Sequence, residues 1–450
     1  MPEIVIVGAG IAGVALAYRL ALLGGGRDVL LLEMGAPLSL TSDKSTEAYR
    51  NWWPGPDDAM IRLMNRSLDL LEEVDTASGG RLGMNRRGYV FATASPERAT
   101  AWQQAGEAAT RGGAGPLRQH PGPAPYIPSV AEGWRAAPDG ADLITDRDLI
   151  KRYFPYLTPR TVAVLHVRRA GWLSAQQYGQ WMLTQARRAG VTLQRGRLVG
   201  VDVRGGRVEA VRLASGERIP CRHLVLATGP YLKGTAALLR LDLPVVCERH
   251  LKVAFDDRRV ALPRHAPLLI WSDPQRLPWH PEEREALAAD PETAWLTDEF
   301  PGGVHIRPEG GGGSRMVLGL WEYDTPQFEQ PRFPLPDDPL YPEVVLRGLS
   351  TMLPALRPYL EHLPRPAVDG GYYVKAPDNR PLVGPLPVDG AWVLGALSGF
   401  GIMASQGVAD LLAAYLMSAP LPDYAPAFVP DRLRPDYLAH WAQFGDAWSL

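Results

Sequence analysis

The clearest alternation of apolar and polar positions lies at the start of the chain, in residues 3–35. Residues 4–7 (IVIV) form a short, continuously apolar, β-branched run, which predicts a central parallel strand covered on both faces. Apolar residues then recur at helical spacing in residues 11–24, which end in glycines. A second apolar run follows at 28–33 (DVLLLE). The segment therefore predicts a strand–helix–strand unit.

Three glycines follow the first predicted strand in Gly-x-Gly-x-x-Gly spacing. Gly8 permits a tight turn, Gly10 lets the backbone approach a pyrophosphate, and Gly13 lets the helix pack closely on the strand. Glu33 ends the second strand, where an acid can accept hydrogen bonds from a ribose diol. Phosphates would lie at the helix N-terminus, which favours anions. The unit predicts a dinucleotide site; a plain βαβ unit without nucleotide is the alternative.

Later segments continue the alternation of strands and helices. Residues 221–232 (CRHLVLATGPYL) run from an apolar strand into a small-residue turn. Residues 377–416 combine a proline-rich turn, a strand, the small-residue turn Ser398-Gly399 and an apolar helix. Between these segments, 174–191 predicts an amphipathic helix and 198–213 predicts a hairpin that turns at two glycines.

Composition narrows the class of protein. A chain of 450 residues with 46% hydrophobic and 21% charged residues is typical of a globular protein of two or three domains. A net charge of −2 predicts neither a nucleic-acid-binding surface nor a basic membrane patch. No apolar run approaches the roughly 20 residues of a membrane helix, and a strand pattern beginning at Ile4 leaves no room for a signal peptide. We therefore expect a cytoplasmic protein without a transmembrane segment.

The two cysteines and three of the histidines are not predicted to form a disulfide, a metal site or a catalytic site. Cys221 and Cys247 are predicted to be free thiols rather than a disulfide. No cluster of His, Asp or Glu has metal-ligand spacing, so no metal site is predicted. His250, His265 and His280 are predicted to be surface or loop residues.

Together, the segments 3–35, 221–232 and 377–416 resemble the D-amino-acid oxidase superfamily of FAD enzymes, and within it the sarcosine oxidase-like and glycine oxidase-like branch. The resemblance implies an α/β fold, with a doubly wound Rossmann-type FAD-binding domain and a second, largely antiparallel α+β substrate domain. It implies these boundaries: 1–75, 146–240 and 366–430 for a discontinuous FAD-binding domain, 76–145 and 241–365 for the substrate domain, and 431–450 for a C-terminal tail. Residues 112–128 are predicted to be a loop, and 273–300 a surface insertion whose relation to the site stays open.

The cofactor implied by the resemblance is FAD held without a covalent bond. Gly371 stands where relatives carry a flavin-binding cysteine, and residues 42–50 contain no histidine. The backbone of 398–403 is implied to face the pyrimidine end of the flavin. The implied FAD-binding residues are Gly8, Gly10, Ile11, Ala12, Gly13, Glu33, Ser45, Thr46, Val199, Thr228, Gly229, Gly399, Phe400, Gly401, Ile402 and Met403.

The substrate site is predicted around the stretch STEAYRNWW (45–53). The resemblance implies that Arg50 binds the substrate carboxylate and contributes to catalysis, and a guanidinium fork suits both carboxylate oxygens. The aromatic residues Tyr49, Trp52 and Trp53 are predicted to wall an apolar pocket. The alternative is that Arg50 pairs with a structural acid, Asp57 or Asp58, and that the tryptophans belong to the core.

Further substrate contacts are implied near the C-terminal motif. Tyr373 is predicted to line the substrate cavity and take part in catalysis, and Lys375 to replace a second carboxylate clamp. Met403 stands where the family often has that clamping lysine, and it is predicted to contact substrate. Val317 stands where relatives carry a lysine associated with oxygen activation, so oxidase and dehydrogenase both stay open.

Two more residues, His305 and Trp321, lie on predicted strands that could face the flavin. They are weaker candidates for substrate contact.

The activity implied by the resemblance is oxidation of the C–N bond of an amine or amino acid. The substrate would be an N-alkyl or imino acid, sarcosine-like, and the product an imine formed by hydride transfer to flavin N5. The electrons would pass to oxygen or another acceptor. Two alternatives stay open, an FAD-dependent 2-hydroxy acid dehydrogenase and a non-catalytic FAD-bearing assembly protein. The sequence does not predict the oligomeric state.

Overall fold

The structure is a computed structural model that describes residues 2–123, 125–311 and 313–442. The predicted tail 431–450 therefore lies outside the described residues from residue 443 onward, and its described part contains a short helix. The helices of the described ranges are α1 (Ile11–Leu22), α2 (Thr41–Lys44), α3 (Ala59–Ser78), α4 (Pro96–Arg111), α5 (Arg147–Tyr153), α6 (Ala175–Arg188), α7 (Leu232–Ala237), α8 (Pro281–Ala289), α9 (Tyr341–Met352), α10 (Gly401–Leu416) and α11 (Pro435–Trp441).

The first sheet is built around the N-terminal unit. In the described ranges its six strands, in spatial order, are β22 (Leu382–Pro385), β23 (Ala391–Gly395), β13 (His223–Leu226), β1 (Ile4–Val7), β2 (Val29–Glu33) and β9 (Thr192–Arg195). All neighbouring pairs are parallel except β22–β23. The carboxyl ends of β1, β2, β13 and β23 consequently lie at one edge, which is where open α/β sheets bind ligands.

Both faces of this sheet are covered, which explains the continuous apolar run at 4–7. Ile4 and Ile6 belong to the same hydrophobic core as helices α1, α3, α6 and α10, of which α1 packs on β1. Val5 and Val7 pack on the other side, against α7 and a three-stranded antiparallel sheet. That sheet consists of β10 (Leu198–Arg204), β11 (Arg207–Leu213) and β12 (Arg218–Pro220), and the predicted glycine turn joins its first two strands.

The second large sheet is mostly antiparallel. Among the described residues its ten strands are, in order along the sheet, β20 (Gln327–Phe328), β14 (Val246–Asp256), β19 (Met316–Leu320), β18 (Val304–Pro308), β15 (Leu268–Trp271), β4 (Tyr89–Thr93), β7 (Ala163–Val167), β6 (Ala141–Ile144) and β5 (Leu117–His120), with β21 (Ala367–Lys375) paired to β14. The coexistence of a covered parallel sheet and a largely antiparallel one confirms the predicted fold class.

The division into domains stays a proposal. The six-stranded sheet draws its strands only from 1–75, 146–240 and 366–430. The ten-stranded sheet draws on 76–145 and 241–365, and it also takes β7 and β21, which lie inside ranges predicted for the FAD-binding domain. The ten-stranded sheet therefore includes two strands that the predicted boundaries assign to the FAD-binding domain.

Two predicted loops have a more definite structure than expected. The stretch 112–128 contains β5, which pairs with β6 at the edge of the large sheet. The insertion 273–300 forms α8, none of whose residues is buried, and the short pair β16 (Gln275–Arg276) and β17 (Glu299–Phe300). A second short pair, β3 (Ala48–Arg50) and β8 (Ala170–Trp172), carries the beginning of the predicted substrate site.

One helical stretch differs from the sequence expectation about membrane spans. In the part of the chain that the structure describes, Ser398–Leu416 is long and apolar enough to cross a bilayer, although no such run was expected. However, 67% of its most apolar window is buried inside the protein, where α10 packs on α1 and α3. The apolar composition therefore matches the packing of a core helix.

Candidate active site

The turn between β1 and α1 leaves no space for side chains. Gly8 has a φ of +104°, and a Cβ added there would lie 2.3 Å from the carbonyl oxygen of Ala227 at the end of β13. A Cβ added to Gly13 would lie 2.0 Å from the carbonyl oxygen of Gly8. Strand, turn and helix thus approach one another as closely as a dinucleotide-binding turn requires.

Polar groups surround this turn. Glu33, at the end of β2, accepts hydrogen bonds from the N–H groups of Ala9 and Gly35, each at 2.8 Å. At the start of α1, Ile11 N–H donates to Ser42 Oγ at 2.9 Å, and no side chain caps the helix from Gly10. An open helix N-terminus favours a phosphate, and an acid beside it favours a ribose hydroxyl, so the donor set suits the adenosine half of FAD.

A cavity of about 680 Å³ extends from this turn to the start of α10. Its volume lies within the roughly 300–1,000 Å³ of small-molecule and cofactor sites. The predicted cofactor-binding residues that line it are Gly8, Gly10, Ile11, Ala12, Glu33, Ser45, Val199, Thr228, Gly229, Gly399, Gly401 and Ile402. Neither cysteine nor histidine occurs among its described lining residues, and Gly371 instead packs against Thr41 and Lys44. We call this space the cofactor cavity.

Sequence reasoning missed part of the wall of the cofactor cavity. Residues of the segment after β2 line it, among them Leu38 in the loop and Thr41 and Ser42 in α2, as does Arg197. These residues carry no recognisable motif of their own. The one available signal was the run of Ser and Thr at 39–45, which follows the Gly-rich unit directly.

A second, smaller cavity of about 80 Å³ adjoins the first. Tyr373, Ser398 and Gly399 line both. The Tyr373 ring packs against the backbone at Gly399, where an added Cβ would lie 2.5 Å from Tyr373 Cε2. Gly399 therefore allows this ring to stand between the two spaces. We call the smaller space the substrate cavity.

One face of the ten-stranded sheet forms the floor of the substrate cavity. Side chains that point to the same face come from paired positions, Leu268 beside Tyr89 and Ile270 beside His305. Of the predicted site residues, Thr46, Phe400 and Met403 line this cavity rather than the cofactor cavity, and Gly13 lines neither. The lining residues are Thr46, Ala48, Arg50, Trp53, Tyr89, Leu268, Ile270, His305, Glu322, Tyr373, Lys375, Asn379, Ser398, Gly399, Phe400 and Met403.

Arg50 lies at the end of β3, where alternation points Ala48 and Arg50 into the substrate cavity. Tyr49 points the other way, and its hydroxyl donates to the carbonyl of Asn85 at 2.6 Å. The Arg50 residue is only 3% exposed, and its guanidinium carbon lies 4.5 Å from the centre of the Trp53 ring. Burial lowers the pKa of Arg50 from its ordinary value, yet a guanidinium stays protonated in proteins.

The two acids that were the alternative partners of Arg50 are engaged elsewhere. Asp57 pairs with Arg380, and Asp58 lies 3.9 Å from Arg62 on the same helix. Of the two tryptophans, Trp53 lines the substrate cavity, whereas Trp52 is buried in the hydrophobic core and lines neither cavity. Of the three aromatic residues predicted to wall the pocket, the structure therefore brings only Trp53 to the substrate cavity, and neither Tyr49 nor Trp52 lines it.

A chain of alternating charges lies behind Tyr373. Lys375 pairs with Glu248, whose Oε1 lies 2.8 Å from His250 Nε2. His250 Nδ1 lies 3.1 Å from Glu322 Oε1, and the His250 ring stacks on Tyr373 with centroids 3.6 Å apart. Lys375 and Glu322, the two ends of this chain, both line the substrate cavity.

The prediction that His250 is a surface residue was wrong. It lies on β14 and is 4% exposed, because Glu248 on the same strand and Glu322 and Tyr373 from distant segments enclose it. Burial is the largest influence and opposes protonation, but Glu322 and Glu248 outweigh it and raise the pKa of His250. The sequence around His250, with charged residues on either side, resembles an exposed strand. His265 and His280 are exposed, as predicted.

His305 presents a defined tautomer to the substrate cavity. Its Nδ1 lies 2.9 Å from the carbonyl oxygen of Gly303, which can only accept, so Nδ1 carries the proton. Burial lowers the pKa of His305, which keeps the ring neutral near pH 7. Nε2 has no hydrogen-bond partner among the described residues and is therefore a free acceptor.

Trp321, the other weaker candidate for substrate contact, and Val317, where relatives carry a lysine, both lie outside the substrate cavity. The Trp321 ring packs on α9, where a Cβ at Gly348 would lie 2.3 Å from it. Val317 is 1% exposed and belongs to the same apolar core as Trp321. Neither lines a cavity described above.

Comparison with solved structures supports the fold across nearly the whole chain. L-proline dehydrogenase from P. horikoshii superposes with a TM-score of 0.73 at 19% identity, covering 96% of this chain and 97% of that one. Glycine oxidase from Geobacillus kaustophilus superposes with a TM-score of 0.70 at 15% identity, covering 96% and 99%. At these identities the similarity shows the fold.

A curated relative matches a shorter stretch. The tRNA 5-methylaminomethyl-2-thiouridine biosynthesis bifunctional protein MnmC from Paracidovorax citrulli is 30% identical over an alignment of 167 residues that covers 33% of this chain. The match spans 25% of the length of that relative.

The family model DAO, described as FAD dependent oxidoreductase, matches residues 3–415. This range includes both cavities and every predicted site residue, and it confirms the resemblance drawn from the three motifs. The chain belongs to the DAO family of FAD-dependent oxidoreductases, and FAD is its cofactor.

Proposed function

We propose that this oxidoreductase oxidises the C–N bond of an amine or amino acid, with an N-alkyl or imino acid as substrate. One observation carries the proposal. Arg50, a buried cation, lines a small cavity that meets the cofactor cavity at Tyr373 and Gly399. A guanidinium in such a place binds a carboxylate through two oxygens and sets the distance between that carboxylate and the cofactor.

The comparisons add support for an amino acid. Proline and glycine, named in the two solved structures, each carry one carboxylate, which one buried arginine suits. Proline and the methylaminomethyl group in the curated relative's name each contain a secondary amine nitrogen. At the position where glycine oxidase-like enzymes use an arginine, this chain has Tyr373, which favours the N-alkyl or imino acid over glycine.

Different residues of the substrate cavity bind the carboxylate, exclude water and accept a proton. FAD, when bound, would supply the acceptor for a hydride, which takes both electrons of the broken C–H bond, while the second hydrogen leaves the nitrogen as a proton. Arg50 binds the carboxylate, and the rings of Trp53 and Tyr373 exclude water from the apolar part of the substrate. The nitrogen must be uncharged when the C–H bond breaks, because its lone pair forms the C=N bond. His305 Nε2 accepts the proton of the substrate ammonium, and the resulting imine hydrolyses in water.

Several finer statements belong to the same proposal. FAD is held without a covalent bond, which the absence of cysteine and histidine from the described lining of the cofactor cavity supports. Met403 closes the end of the substrate cavity, and Lys375 tunes its charge rather than clamping the carboxylate, because Lys375 pairs with Glu248. The protein is cytoplasmic, in keeping with two buried free thiols. Oxygen or another acceptor reoxidises the cofactor.

An anaerobic absorbance scan tests the proposal. The purified yellow protein is mixed with sarcosine, N-alkyl amino acids, L-proline, glycine and 2-hydroxy acids, and each bleached sample is then opened to air. Bleaching by an N-alkyl or imino acid is the expected result, and the rate of reoxidation separates an oxidase from a dehydrogenase. Bleaching by hydroxy acids alone would replace the proposal with C–O oxidation.

A further inference from the structure

The substrate cavity contains an acid as well as the arginine. Glu322 follows β19, and its carboxylate lines the same space of about 80 Å³ as Arg50 and His305. A substrate that carried only a carboxylate would meet Arg50 and be repelled by Glu322. A zwitterion, which has a positive nitrogen next to its carboxylate, would satisfy both.

Glu322 keeps an oxygen available for such a ligand. Its Oε1 lies 3.1 Å from His250 Nδ1, whereas Oε2 has no partner among the residues that the structure describes. The Glu322 side chain is 36% exposed, so a ligand can reach it from the substrate cavity. His250 thus orients the Glu322 carboxylate through Oε1 and leaves Oε2 available to a ligand.

The positively charged neighbours His250 and Lys375 keep the Glu322 carboxylate ionised. Burial opposes ionisation, but His250 and Lys375 outweigh it and lower the pKa of Glu322 to about 2. His250 is itself held by Glu248, which also binds Lys375. The Glu322 carboxylate therefore stays negatively charged where it meets the substrate cavity. A cationic ligand group beside Oε2 is the natural counterpart.

We infer that Glu322 binds the positively charged nitrogen of the substrate, so that the substrate enters as a zwitterion held between Arg50 and Glu322. This inference rests on the proposed function and deepens it. His250 is a positioning residue, since it acts through Glu322. The arrangement selects amino acids against hydroxy acids of the same shape, because only the former bring the cation that Glu322 requires.

Isosteric ligand pairs test the inference without relying on turnover alone. Sarcosine is compared with methoxyacetate, and L-proline with tetrahydrofuran-2-carboxylate; in each pair an ether oxygen replaces the charged nitrogen. Dissociation constants for the carboxylates come from the perturbation of the flavin spectrum. Half-saturating concentrations for the amino acids come from anaerobic flavin reduction. Flavin content and the spectrum of each variant report whether it is folded.

In Glu322→Gln we expect amino-acid binding to weaken about tenfold, the equivalent of about 1.4 kcal/mol. Binding of the amine-free carboxylate should tighten, because a repulsive charge has been removed. Glu322→Asp, which keeps the charge, should retain the preference for the amino acid and serves if the glutamine variant does not fold. Asp324→Asn is the matched control, since Asp324 pairs with Arg249 outside both cavities and should change neither constant.

The outcomes separate this inference from the proposed function. Equal weakening of both ligands in Glu322→Gln, or no change in their ratio, would overturn the assignment of Glu322. If Arg50→Lys still weakens both ligands, the carboxylate site and the proposed function survive that result. If the wild type binds neither amino acid and Arg50→Lys changes nothing, both fall together.

Discussion

The two adjoining cavities are built from different parts of the polypeptide. At the glycine turn the cofactor cavity is formed by backbone, and its shape depends on the absence of Cβ atoms at positions such as Gly8. The substrate cavity is lined mainly by side chains, which come from strands of the large sheet (β21 among them), from β3 and from the start of α10. This difference indicates which kind of substitution should impair each site. The cofactor cavity should fail when a methyl group is added, and the substrate cavity when a charge is removed.

The largest effect is expected at Gly8. Gly8→Ala would place a Cβ 2.3 Å from the Ala227 carbonyl oxygen at a φ of +104°, so strain and clash together should cost roughly 2–4 kcal/mol. We expect a lower thermal midpoint and loss of most of the FAD, measured as the flavin-to-protein absorbance ratio. Gly205→Ala is the control, because φ is also positive there but nothing lies within 4 Å. Full FAD content in Gly8→Ala would mean that the turn can relax.

The next effect concerns Arg50. Arg50→Ala should raise the KM of an identified amino-acid substrate roughly 100-fold, toward the lower end of the about 2–5 kcal/mol associated with a buried charge pair. FAD content should change little, since Arg50 lines only the substrate cavity. Arg62→Ala, on the outer side of α3 where Arg62 pairs with Asp423, is the control. Unchanged kinetics in Arg50→Ala would contradict the carboxylate site.

A smaller, pH-dependent effect is expected at His305. Because burial lowers the pKa of His305, its neutral form persists to below pH 6.5, and kcat/KM of the wild type should fall only as the pH drops through that lowered pKa. His305→Gln should lose this limb and slow by about tenfold at pH 7, with recovery at higher pH, where substrate amine is already neutral. The neighbouring charges are those of Arg50, Arg307 and Glu322. A pH profile of anaerobic reduction measures this, and an unchanged limb would remove His305 from the mechanism.

The smallest effect distinguishes the two tryptophans. Trp53→Phe weakens the cation–π contact with Arg50, worth about 0.5–1 kcal/mol, so KM should rise two- to fivefold by that estimate. Trp52→Phe should lower the thermal midpoint and leave KM unchanged, because Trp52 lies in the core. Steady-state kinetics and thermal unfolding of both variants check this. The opposite assignment of effects would mean that Trp52, not Trp53, faces the substrate.

Much of the cofactor cavity could be predicted from the sequence, because several of its residues are close together along the chain. Gly8, Gly10, Gly13 and Glu33 lie within one strand–helix–strand unit, and their spacing alone determines how backbone and carboxylate meet. The role of the segment after β2 as part of the cavity wall was not predicted. Ser42 contributes a single hydrogen bond, which its Oγ accepts from Ile11 N–H, and no sequence motif indicates that contact.

The substrate half resists prediction because its contacts join distant segments. Glu322 and His250 are 72 positions apart in the numbering, and only the sheet brings them within 3.1 Å. Period-two alternation along β3 separates Tyr49 from Arg50, although the prediction placed both at the pocket. Because β3 ends at Arg50, the pattern cannot say which of the following tryptophans faces the cavity. The role of each substrate-site residue stays a prediction that the variants above address.

The order of strands in the six-stranded sheet also affects how the protein is made. The central strand β1 is synthesised first, yet its neighbour β13 and the adjacent β23 begin only at residues 223 and 391. At about 5–20 residues per second, roughly 20–80 s pass on the ribosome before the sheet can close. Until then the apolar faces of β1 and α1 lack the partners that α10 provides. We therefore expect the nascent chain to depend on chaperones, and FAD to stabilise the finished fold rather than its early intermediates.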